Sequence, residues 1–236
     1  MIKKIVKCVA FAVITLLVLN FIYGFLVIKD TNGGTDELLF SSVRQLENTP
    51  RNTVDVMFLG SSHCYNSIYP AVMWDEYGIS AFDLAVTCQF KSVTYEMLKK
   101  SLRRQSPKVV CVEVFELDSG GPDEEEVGAL YRNFLSVKST PGLYNVLKEE
   151  NLDNKSDFIS RWPIVHTRYR EFSQNDFVTS TWDKYGRGGE FRNGETGGYF
   201  SGYALCSDVV EISDSNREWV DKMVTLSKKE KFELVF

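Results

Sequence analysis

The stretch Val54-Asp-Val-Met-Phe-Leu-Gly-Ser-Ser-His63 decides the fold. Residues 54–59 are apolar apart from Asp55, end at Gly60, and run into a Ser-Ser-His turn. So short an apolar run with a single charge reads as a strand buried on both faces, the habit of a parallel sheet. Gly60 permits the tight turn that follows. Downstream, residues 70–77 read as a helix with Pro70 in its first turn and Gly78 as its stop. Residues 79–84 form a second strand and 85–90 a loop. Ser92 is placed to cap a helix running to about Gln105, with Val93, Met97, Leu98 and Leu102 on one face. Lys99, Lys100, Arg103 and Arg104 sit where cations suit the helix dipole. After Pro107, residues 108–115 form a third strand. This β-α-β-α-β order makes the fold class α/β, a parallel sheet with helices on both faces. The loops leaving the strand ends then meet at one edge, where such sheets bind ligands. That edge collects residues 60–64, 85–90 and the loop beyond Phe115.

Upstream lies a different kind of segment. Lys3, Lys4 and Lys7 precede 21 uncharged, mostly apolar residues from Cys8 to Ile28, and Lys29 and Asp30 end the run. About 20 such residues cross a bilayer as a helix. A cleavable signal has a shorter apolar region and a small-x-small site, which residues 21–28 lack. The lysines before the span place the N-terminus in the cytoplasm and the remaining chain outside the cell membrane. Residues 1–29 are therefore read as a cytoplasmic start and anchor, and 30–52 as a linker with a short amphipathic helix near 36–46. Residues 53–236 form the α/β domain. The bilayer is the first expected partner, through residues 8–28.

The domain is irregular between about 118 and 210, where glycines abound and apolar periodicity fades. Short helices are expected near 126–135 and 141–149. Ser213 or Ser215 caps a further helix reaching about Lys231, and an apolar strand begins at Phe232. The sequence stops within that strand, so the expectation is a fragment, incomplete at its C-terminus. A net charge of -5, from 27 basic and 32 acidic side chains, argues against a nucleic-acid partner. Five cysteines and two histidines lack zinc-finger spacing, and no metal or cofactor is expected. The acidic run 123–126 reads as a solvated loop rather than a Ca²⁺ site. Gly186–Gly189 has neither the strand–helix context nor the Gly-Lys-Ser/Thr ending of a phosphate cradle. Cys111 reads as a small buried hydrophobe; a Cys64–Cys88 bridge is conceivable, but no spacing demands it.

Ser62 is the candidate nucleophile, on a strand-to-helix turn where backbone amides can stabilise an oxyanion. The plainer reading is that Ser61 or Ser62 merely caps the helix. Serine chemistry needs a base, and only His63 and His166 exist. His166 lies in an Arg- and aromatic-rich stretch with Arg168, where an anionic glycan or phosphate group is a conceivable ligand and a packed surface helix the alternative.

Residues 54–63, 70–88 and 107–115 together resemble the SGNH/GDSL hydrolases, in particular the membrane-anchored bacterial type that works beside membrane-bound O-acyltransferases. The resemblance implies a three-layer, flavodoxin-like α/β domain. It maps the family nucleophile onto Ser62, with Ser61 in place of the usual Asp. Cys88 falls where the family has an oxyanion-hole Gly, and His63, Gln89 and Glu116 line the same site. The family's Asn donor is missing after the third strand, and so is the C-terminal Asp-x-x-His block. The implied function is a membrane-anchored extracytoplasmic serine acylester hydrolase or O-acyltransferase acting on acylated cell-envelope glycan. Little activity is expected from this chain alone. The alternative is a non-catalytic scaffold for a polytopic acyltransferase.

Overall fold

The computed structural model describes residues 2–26, 42, 45–86, 89–114, 117, 140–149, 166, 168–170, 187–189 and 212–236. Helix α1 (Ile2–Leu26) is 25 residues long. Its segment Lys3–Ile22 has a mean hydropathy of 2.5, long and apolar enough to cross a membrane. Phe11, Leu16, Leu17 and Phe21 are all exposed on it.

Four strands follow: β1 (Val56–Leu59), β2 (Ala81–Asp83), β3 (Val109–Val112) and β4 (Glu233–Val235). They form one sheet in the order β2-β1-β3-β4, parallel at every pairing. The strands are shorter than the sequence patterns predict: residues 54–55, 79–80, 84, 108 and 113–114 lie outside them. Asp55, expected within β1, lies just before it and pairs with Lys108 at 2.7 Å. Between β1 and β2 stand α2 (Ser62–Ser67) and α3 (Pro70–Tyr77). Helix α4 (Lys91–Ser101) joins β2 to β3, and α6 (Asp214–Glu230) leads into β4. Helix α5 (Thr140–Glu149) packs on α4.

The register explains the core. Met57 pairs with Phe82 and Val110, and Val110 with Leu234, so these side chains share one face of the sheet. With Leu59 and Val112 they meet Val93, Met97 and Leu98 of α4 and Trp219, Met223 and Leu226 of α6 in one cluster. On the other face, Phe58 and Ile68 pack on a smaller cluster of Cys64, Tyr65 and Ala85. Val56 and Phe58 are only half-buried. One face of β1 is therefore fully covered and the other only in part, where a strand buried on both faces is the reading from sequence.

The helix ends show local chemistry at work. Gly78 closes α3 in the left-handed conformation, φ 66°, and its N–H reaches Met73 and Trp74 carbonyls. Ser213 caps α6 by accepting from Asn216 N–H. Ser92 does not cap α4; Phe90 holds that position, and the Ser92 side chain is buried. The outer edge of β2 is met by residues 187–189, where the Arg187 carbonyl accepts from Asp83 N–H at 2.8 Å. Gly188 has φ 91°, and a Cβ there would stand 1.7 Å from the Asp83 carbonyl oxygen. Only glycine lets the two backbones approach so closely.

Candidate functional site

The sheet order reverses between β1 and β3, since the chain moves outward to β2 from one and to β4 from the other. Ligand crevices of doubly wound sheets open at the carboxyl ends of such neighbours. Here the strand ends are stitched together beyond the sheet proper. Val86 N–H donates to the Gly60 carbonyl at 3.1 Å, and Glu113 N–H to the Leu59 carbonyl at 2.9 Å. Gly60, Val86 and Glu113 thus stand side by side.

Glu113 organises the polar cluster at this edge. One carboxylate oxygen accepts from Ser61 N–H. The other accepts from the Ser61 hydroxyl at 3.0 Å and lies 3.1 Å from His63 Nδ1. His63 Nδ1 is also 3.1 Å from Ser61 Oγ. Gly60 makes room for this arrangement, because a Cβ there would fall 2.4 Å from a Glu113 oxygen and 2.6 Å from Glu113 Cβ. Ser61 accepts from His63 N–H as the N-cap of α2. The capping alternative for this serine pair is therefore realised by Ser61. Ser62 is the first helical residue and half-buried. The His63 side chain is 63% exposed and that of Glu113 16%, so the imidazole faces solvent over an anchored carboxylate. A carboxylate at Nδ1 favours the tautomer protonated there and makes Nε2 the basic nitrogen.

Behind this cluster lies Asp83, the last residue of β2 and fully buried. Burial pushes its carboxyl up to about 8; hydrogen bonds from Cys64 and Ala85 oppose the rise, and the Glu113 charge adds to it. Cys64 is a free thiol, held far above its ordinary value by burial and then by Asp83. Cys111 is also free and half-buried.

The structure thus brings Ser62 and His63 to the strand-end edge together with Ser61 and Glu113. Gln89 is fully buried at the approach to α4 and donates to Thr94 Oγ1 at 2.9 Å. His166 is exposed in a turn, and Arg168 opens the short 3-10 turn Arg168–Arg170. Cys88 and Glu116 lie outside the described residues, as do the acidic run 123–126 and the helix expected near 126–135. Among the described residues no cluster of three or more His, Cys, Asp or Glu side chains has metal-site geometry. Sequence reasoning missed Glu113 and Asp83 as site residues. Their signal was a lone acidic residue in an otherwise apolar run; the structure ends β2 at Asp83 and β3 just before Glu113, and in a parallel sheet the carboxyl strand ends form the ligand edge. Comparison with protein-family models, curated proteins and solved structures yields no match.

Proposed function

We propose that this chain is a membrane-anchored, extracytoplasmic serine acyl-transfer protein with a three-layer domain of the SGNH type. Its substrate class is an acylated cell-envelope glycan. The observation that carries this reading is the turn 60–63 clasped by Glu113 at the carboxyl edge of the two central parallel strands. Since the Ser61 hydroxyl is committed to the helix cap and to Glu113, attack falls to Ser62. Its oxygen bonds to the acyl carbon, its proton passes to a base, and the alcohol leaves with a proton returned from that base. Water or an acceptor hydroxyl then takes the acyl group from Ser62. His63, oriented by Glu113, is the imidazole this edge supplies. Helix α1 holds the domain at the membrane, N-terminus inside.

A fluorophosphonate probe tests the reading on the full chain. An adduct mapped to Ser62 by mass spectrometry, lost in Ser62→Ala and weakened in His63→Gln, is expected. No adduct, or one unaffected by Ser62→Ala, sinks the enzyme reading. One observation favours a second reading, a non-catalytic partner of a polytopic acyltransferase: Ser61, His63 and Glu113 all engage one another around the start of α2. A chain that never labels yet co-purifies with such an enzyme fits that role.

A further inference from the structure

Asp83 is a buried acid that the proposed chemistry does not use. Its side chain shares the face of Phe58, its register partner on β1, beneath α2. Its hydrogen-bond partners are few. Oδ1 accepts from Ala85 N–H at 2.9 Å, and the Cys64 thiol lies 3.7 and 3.6 Å from the two oxygens. The groups around it are Cys64 on α2, Glu113 beyond β3, and Arg187 at the sheet edge; α3 also packs on β2, but its Asp75, Glu76 and Tyr77 are exposed to solvent and none acts on the Asp83 carboxyl. Arg187 does not neutralise it, for its guanidinium goes to Ser80 Oγ at 2.6 Å and the Ala81 carbonyl at 3.4 Å. Among the described residues no Lys, Arg or His side chain bonds the Asp83 carboxyl.

A carboxylate stripped of water needs a counter-charge or several strong donors. Here it has one amide and one weak S–H donor, with a second carboxylate nearby. The neutral acid needs far less. We infer that Asp83 is a proton-held latch: protonated, it lets α2 close over the end of β2, and its ionisation loosens α2 and with it the Ser61–His63–Glu113 turn. The inference is independent of any chemistry at Ser62.

The sign follows from linkage. The folded chain keeps a proton that the unfolded chain releases near the ordinary 3.8, and gives it up only at about 8. Stability therefore falls as pH rises between those values and levels off above them. Infrared difference spectra of the full chain in detergent micelles provide the direct test, alongside urea midpoints from about pH 5 to about pH 9. A protonated-carboxyl C=O band at neutral pH, titrating away on the alkaline side and missing from Asp83→Asn, is expected. The asparagine variant, which mimics the neutral acid in shape, should fold and lose most of the wild-type fall in midpoint. A neutral-pH spectrum without that band, a band untouched by Asp83→Asn, an unchanged midpoint profile, or failure of Asp83→Asn to fold overturns the latch.

Discussion

At the scale of single residues, Glu113 does more than any other side chain to shape the edge of the sheet. It receives the Ser61 amide and hydroxyl and holds His63, so three donors converge on one carboxylate. Glu113→Ala leaves a buried hydroxyl and amide without their acceptor, at about 1–3 kcal/mol. Chemical denaturation should show that loss, and Glu113→Gln, which keeps an acceptor oxygen, should recover part of it. His63→Ala should cost much less by the same measurement, because its ring is mostly in solvent. A larger loss for His63 than for Glu113 would mean that the carboxylate is not the hub. Gly60 belongs to the same arrangement, since any Cβ there collides with the Glu113 side chain.

Among the elements, α4 and α6 form the main core layer on the sheet. Trp219 of α6 donates through its indole N–H to the Lys91 carbonyl at 2.7 Å, tying one helix to the start of the other, and Met223 is fully buried. Met223→Ala should destabilise by about 2–5 kcal/mol and Trp219→Ala by about 3–5 kcal/mol. Urea titration followed by circular dichroism checks both, and a change below about 1 kcal/mol would contradict the packing. These elements were legible in the sequence because their signals are local. Pro70 and Gly78 bracket α3, and Val93, Met97 and Leu98 fall on the buried face of α4. Helix α2 is not legible in the sequence, which suggests a turn over 60–64 and a helix only from Pro70, since its six residues of Ser, His, Cys, Tyr and Asn carry no helical apolar period. The cap at Ser92 failed because Phe90 and the buried approach to α4 take precedence over propensity. The Glu113 cluster was hidden for another reason. Its members lie 52 and 50 residues apart in sequence, and only the β1–β3 register brings them together.

For the whole molecule, the contrast is between the span Lys3–Ile22 of α1, whose apolar residues are exposed, and a domain that buries its own around a four-stranded sheet. Apolar side chains such as Phe11, Leu16 and Leu17 leave water at roughly 25 cal/mol per Å². The full chain is accordingly expected to stay with membranes through alkaline carbonate extraction. A chain lacking residues 2–28 should be released, with the domain's circular dichroism unchanged. Retention of the shortened chain would assign membrane binding to the domain instead. The join at the margin of β2 has a different consequence. Its outward amide at Asp83 finds the Arg187 carbonyl only because Gly188 carries no side chain. A ribosome releases β2 long before it makes that glycine. In the interval the nascent strand shows an unpaired flank to its surroundings, and any other extended peptide can dock there. The small size of one late residue thus lets the flank close, but only after synthesis has passed it.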